Sequence, residues 1–146
     1  MGQLANFAEI SPDLFKRIIA GGDDSALTKC PQHSLDKAWD SLHHVLQSKG
    51  RPLSLAITGD RTHPDGGHSL DEFIQGEHEY YVALMSPQLV QQVATALGNV
   101  TAAEFKQWES DLGIDPDESV EVFFPELKTT YQQASAAKNA LMIMIA

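Results

Sequence analysis

Two stretches of the chain carry residues able to do chemistry. The first is His63-Pro-Asp65-Gly-Gly-His68, followed by Asp71, Glu72, Glu77, His78 and Glu79. His63, Asp65 and His68 put two imidazoles and a carboxylate in one loop, a donor set that suits Zn²⁺ or a similar ion. Their spacing matches no established metal motif, and the paired glycines leave the loop without a preformed geometry. The expectation is therefore a solvated polar loop, with no metal and no cofactor. The second stretch is Trp39-Asp40-Ser41-Leu42-His43-His44. On a helix, Asp40 reaches either histidine at i+3 or i+4. Trp39, Asp40 and His43 could thus form an acid/base pair beside an aromatic wall. The plainer reading is an imidazole that bonds locally and holds its helix against the core. No nucleophile is recognisable by motif: there is no G-x-S-x-G, no phosphate-binding glycine loop and no H-E-x-x-H.

The element that must position the second group is a helix over 35–47. Leu35, Ala38, Trp39, Leu42 and Leu46 fall on one apolar stripe at 3.6 residues per turn. Ser34 suits its N-cap, and Gly50 and Pro52 stop it. His44 then points opposite the stripe, to water. His43 sits at the stripe's edge, one turn after Trp39, and is the histidine placed to line a crevice.

Before this helix, residues 3–10 read as a strand. Ser11-Pro12-Asp13 opens a helix whose buried face is Leu14, Phe15, Ile18 and Ile19, ended by Gly21-Gly22. Residues 23–33 read as a polar connection. After the helix, Pro52 to Ile57 favours a short helix bounded by Pro52 and Gly59. Residues 58–79 read as loop, with one helical turn near Ser69 to Gln75. Tyr80 to Met85 is a strand, and Ser86-Pro87 repeats the Ser11-Pro12 device before a helix that buries Leu89, Val93 and Leu97. Thr101-Ala-Ala-Glu104 is a capping box, and Phe105, Trp108 and Leu112 mark the inner face that follows. A last helix starts at Asp115-Pro116. Its stripe (Val120, Phe123, Phe124, Leu127, Tyr131, Ala134) passes through Pro125, which predicts a kink there. The final seven residues, Ala-Leu-Met-Ile-Met-Ile-Ala, read as a strand buried on both faces. The order β, α, α, short α, loop, β, α, α, α, β predicts an α+β or α/β fold. About three short strands would form a small sheet, with a helical majority packed around it.

At 146 residues the chain is one domain by length, spanning residues 1–146. Net charge is −10, from 20 acidic and 10 basic residues, and apart from Lys16-Arg17 the basic residues stand singly. Nucleic acid needs a basic patch and is not an expected partner; the acidity reads first as what keeps a cytosolic protein soluble, and the sharper reading is a basic protein partner. No apolar run reaches the roughly 18–20 residues of a membrane span, and the N-terminus lacks the basic segment of a signal peptide. Cys30 is the only cysteine, which fits a reducing cytoplasm.

Four segments together resemble a known family. Lys37-Ala-Trp39-Asp-Ser-Leu42-His43, Pro52-Leu-Ser-Leu-Ala-Ile-Thr-Gly59, Tyr81 with Ser86-Pro87-Gln-Leu-Val90, and Tyr131…Ala134…Asn139-Ala-Leu-Met-Ile are similar, in order and spacing, to the YfbM-like family of bacterial domains of unknown function. The resemblance implies a small single-domain cytosolic protein. It implies no reaction, so no catalytic residue carries over, although Trp39 and His43 match the family's recurrent W-x-x-x-H helix. The functional expectation is a non-enzymatic protein-interaction or regulatory domain with an acidic surface. The alternative is an enzyme or small-ligand binder with a pocket beside the helix 35–47.

Overall fold

An apolar run without alternation suits a strand covered on both faces, and Ala140–Ile145 is such a strand. In a computed structural model, which describes residues 3–21, 29–63, 69–76 and 80–146, it is the middle of a five-stranded antiparallel sheet. The strands are β1 (Ala5–Ile10), β2 (Gln32–Asp36), β3 (Arg61–Thr62), β4 (Tyr81–Met85) and β5 (Ala140–Ile145), in the order β2-β1-β5-β4-β3. The fold is α+β, and about 53% of the described residues are helical.

The expected count of about three strands is corrected to five. The three foreseen are the inner ones, β1, β5 and β4. The two missed are the edges, and edge strands are characteristically short and polar. β2 buries only Leu35 among its five residues, and β3 has two residues, too few to show an alternation.

The helices are α1 (Pro12–Ile19), α2 (Trp39–Gln47), α3 (Leu55–Thr58), α4 (Leu70–Gln75), α5 (Pro87–Gly98), α6 (Ala102–Asp111) and α7 (Phe124–Ala136). The two Ser-Pro devices behave alike. Ser11 accepts from the Leu14 N–H at 3.1 Å and Ser86 from the Leu89 N–H at 3.3 Å, each with Pro in the first turn. Thr101 and Glu104 form the expected capping box.

Three local expectations are corrected. Helix α2 begins at Trp39, and Ser34 is not its cap. Residues 34–36 pair with β1 instead, the chain leaves the strand through Asp36 at φ 53°, and Ser34 Oγ accepts from the Asp36 N–H at 3.2 Å. The free edge of β1 offers those backbone groups partners that a helix start would leave unpaired. Next, no helix runs from Asp115 through a kink at Pro125. Two 3₁₀ turns, Pro116–Glu118 and Glu121–Phe123, precede α7, and Pro125 lies in the first turn of α7, where a missing N–H leaves no bond unmade. Finally, Leu112 lies beyond the end of α6 and is 38% exposed rather than core.

The sheet has one thick side and one thin side. On the thick side α2 to α7 bury a continuous core against Phe7, Tyr81, Ala83, Leu141, Ile143 and Ile145. Phe105 of α6 stacks on Phe124 of α7 at 4.6 Å between ring centroids. On the thin side α1 places Leu14 and Ile18 over Ala8, Ile10, Leu84, Ala140 and Met142. No helix among the described residues is long and apolar enough to cross a membrane.

Candidate functional site

Trp39 opens α2 facing inward and is 6% exposed. Its indole N–H donates to the Gln3 carbonyl at 2.8 Å, tying the start of the chain to the helix. Its ring lies 6.0 Å from Phe73 of α4, which in turn lies 5.9 Å from Tyr81 of β4. One turn later His43 is 7% exposed. Burial lowers its pKa below the ordinary 6.5; the Asp71 carboxylate and the Gln47 side chain act the other way, and His44 adds a further lowering. Its Nδ1 is buried with no hydrogen-bond partner. Asp40 is exposed, and its Oδ1 accepts from the Ser41 N–H at 2.7 Å. The carboxylate that acts on His43 is Asp71, 28 residues further along the chain on α4. Trp39 and His43 are thus brought together in the interior, Asp40 stands outside, and His44 is exposed.

Of the loop candidates, His63 is half-buried and its N–H donates to the Val82 carbonyl at 3.0 Å, extending the β3–β4 pairing. Asp65 and His68 lie outside the described residues, as does His78. Among the described residues no group of three His, Cys, Asp or Glu side chains could hold a metal ion.

Two adjoining clefts lie on the outer side of α2 and α6. Asp40, Ser41, His44, Ile114 and Glu118 line one of about 250 Å³. The other, about 370 Å³, runs from Lys106 and Ser110 on α6 to Ile114, Asp115 and Ser119, with Glu109 at its base. Ile114 belongs to both. Neither cleft is lined by Trp39 or His43.

Glu109 is 3% exposed and holds the segment between α6 and α7 in place. Its Oε1 accepts from Ser119 Oγ at 2.7 Å and its Oε2 from the Val120 N–H at 3.0 Å. The sequence does carry a signal for it, because Glu109 stands at i+4 from Phe105, inside the apolar stripe. Glu109→Ala leaves two donors without acceptors, at about 1–3 kcal/mol for a buried unpaired group. The expected loss in a urea titration is about 2–3 kcal/mol; a loss under about 0.5 kcal/mol would show the segment to be held by other contacts.

A second polar group unforeseen from sequence joins three elements. Glu9 of β1 accepts from Asn139 Nδ2 at 2.7 Å, and its other oxygen faces His33 Nε2 of β2 at 3.8 Å. The partners are up to 130 positions apart, so nothing local announces them.

A family model described as a domain of unknown function, DUF1877, matches residues 1–144. The chain belongs to the DUF1877 family. The crystal structure of YfbM from Escherichia coli, a protein of unknown function, is similar to it with a TM-score of 0.65 at 20% sequence identity, covering 98% of this chain and 99% of that one. The YfbM-like resemblance is thereby borne out, and at this identity the structural likeness establishes the fold alone. No curated protein matches the chain.

In this DUF1877 chain, three of the four segments that carry the resemblance meet at α3. Tyr131 of α7 donates its hydroxyl to the Ala56 carbonyl at 2.7 Å, and Tyr81 of β4 donates to the Thr58 carbonyl. These are end-of-helix carbonyls that have no partner within a four-residue helix. Burial pushes both phenols above their ordinary pKa, which keeps them donors. Gly59 follows at φ 76° and ψ −178°, against β4. A Cβ built there would meet Ala83 Cβ at 2.9 Å and the Leu84 carbonyl at 3.2 Å.

Proposed function

We propose that the protein is a cytoplasmic, non-catalytic interaction domain that receives a basic segment of a protein partner on the outer face of α2 and the adjoining 114–119 segment. One observation carries this reading. Asp40 and Glu118 line the cleft of Ser41, His44 and Ile114, Asp115 lines the adjoining one, Asp117 stands between Asp115 and Glu118 in the same exposed turn, and among the described residues none of the four forms an ion pair with a lysine or arginine. Carboxylates left unneutralised on a chain of net charge −10 generate a negative potential that attracts and orients a cationic partner. The apolar Ile114 at the junction supplies a contact for the aliphatic stem of a Lys or Arg side chain. The interior placement of Trp39 and His43 supports a packing role for them, which leaves the α2 surface to recognition.

The size of the Glu109 cleft favours a second reading. At about 370 Å³ it falls within the roughly 300–1,000 Å³ of small-molecule sites, so a small ligand is the alternative occupant of the same side of the molecule.

The test is titration with a fluorescent oligolysine peptide at low and raised salt. Binding is expected at about 50 mM salt and is expected to weaken strongly by about 300 mM, as the Debye length shrinks below about 10 Å. The double variant Asp40→Asn with Glu118→Gln is expected to bind about tenfold more weakly, which is about 1.4 kcal/mol. No binding at low salt, or binding unchanged in the double variant, would remove this surface as the recognition site.

A further inference from the structure

Helix α4 buries two of its side chains. Leu70 and Phe73 are buried, whereas Asp71, Glu72, Ile74 and Gln75 are exposed. Six residues are well below the length at which a helix is stable by itself, so α4 keeps its place through its contacts. Phe73 rests between Trp39 and Tyr81. Trp39 and His43 stand at i and i+4, on one side of α2, and Asp71 on α4 acts on His43 as Phe73 does on Trp39. Helix α4 therefore packs through Phe73 on the Trp39 end of this side of α2, with the Asp71 carboxylate near enough to act on an imidazole whose buried Nδ1 has no partner.

We propose that α4 is a pH-sensitive strap: protonation of His43 releases α4 from α2 and uncovers the Trp39–His43 side of the helix. An imidazolium has two N–H donors, and in the closed arrangement one of them has no acceptor and little water. Release of α4 gives both access to solvent. The groups that bear on His43 are Asp71 from α4, and His44 and Gln47 from α2 itself. Asp71 favours the imidazolium, but loss of hydration is the larger effect, so the closed arrangement binds the proton less tightly than the open one. The sign follows from linkage. Closure is at full strength above the ordinary histidine pKa of 6.5 and weakens as pH falls below it toward the lowered value of the closed state.

Hydrogen exchange of the whole protein, followed by mass spectrometry and corrected for intrinsic rates, tests this at about pH 7.5 and pH 5.5, either side of the unperturbed histidine pKa. Peptides covering 70–76 are expected to lose protection by about threefold or more at the lower pH, while β5 and α5 keep theirs. His43→Gln is expected to abolish that pH response. Asp71→Asn is expected to enlarge it, because the closed imidazolium loses its carboxylate. Equal protection of 70–76 at both pH values overturns the proposal, as does a loss spread evenly over β5, or a full response in folded His43→Gln. Should His43→Gln fail to fold, Asp71→Asn decides: a response equal to or smaller than that of the wild type overturns the strap.

Discussion

Replacing Gly59 by alanine is expected to remove about 2–6 kcal/mol of stability, the sum of two independent costs. The first is conformational. At φ 76° and ψ −178° the residue occupies a backbone region that is essentially glycine-only, and an L-residue held there costs about 1–3 kcal/mol. The second is steric. The new methyl would lie 2.9 Å from Ala83 Cβ, 3.2 Å from the Leu84 carbonyl oxygen and 3.3 Å from Ile143 Cδ1. Two of these neighbours belong to inner strand β4 and cannot swing aside, and overpacking of this kind costs about 1–3 kcal/mol. Gly50, also at positive φ, has nothing within 4 Å of an added Cβ, so Gly50→Ala carries only the conformational part and serves as the control. Urea denaturation of both variants checks the prediction through a lowered midpoint at unchanged slope. A Gly59→Ala loss no larger than that of Gly50→Ala would mean that the segment shifts away from β4 at little cost.

Trp39→Ala is expected to cost about 3–5 kcal/mol, the usual range for deleting a buried large aromatic. Three contacts are lost together: the bond from the indole N–H to the Gln3 carbonyl, the packing on Phe73, and burial at the junction of α2 with the sheet-facing core. Trp39→Phe keeps a ring and loses the donor, so it should cost about 1–3 kcal/mol, the penalty for removing one partner of a buried hydrogen bond. Thermal and urea unfolding separate the two variants. A loss under about 1 kcal/mol for Trp39→Ala would place the ring outside the core and restore Trp39 as a wall of a binding crevice.

Particular residues show where sequence reasoning reached and where it stopped. Strand β5 was legible because seven apolar residues in a row admit few solvated arrangements. Helices α1, α5 and α6 were legible because Ser11-Pro12, Ser86-Pro87 and Thr101–Glu104 satisfy first-turn N–H groups from within three or four residues. The same local logic misread Ser34. A serine before an apolar stripe satisfies every rule for an N-cap, yet residues 34–36 pair with β1, nearly thirty positions earlier in the chain. Pro125 was misread for a related reason. The apolar stripe is continuous through it, while the preceding segment is bound elsewhere, with the Glu109 carboxylate holding Ser119 and Val120.

The candidate site divides the same way. That His43 borders the core and His44 faces water followed from helical geometry alone. That the charge acting on His43 is Asp71 did not, since it depends on where α4 packs relative to α2. Asp40 was the sequence-based choice because it is a neighbour on the helix, but its carboxylate is engaged by the Ser41 N–H.

By itself, then, the sequence determined the three inner strands, the helices α1, α5 and α6 with their caps, the acidic balance and the family. All of these are written in periodicity, composition or contacts within a turn or two of chain. The tertiary structure alone decided the two edge strands, the start of α2, the seating of α3 beneath two tyrosine hydroxyls, and the approach of Asp71 on α4 to His43. Those features depend on which backbone groups and side chains distant segments leave unsatisfied, and that is settled only when the segments meet.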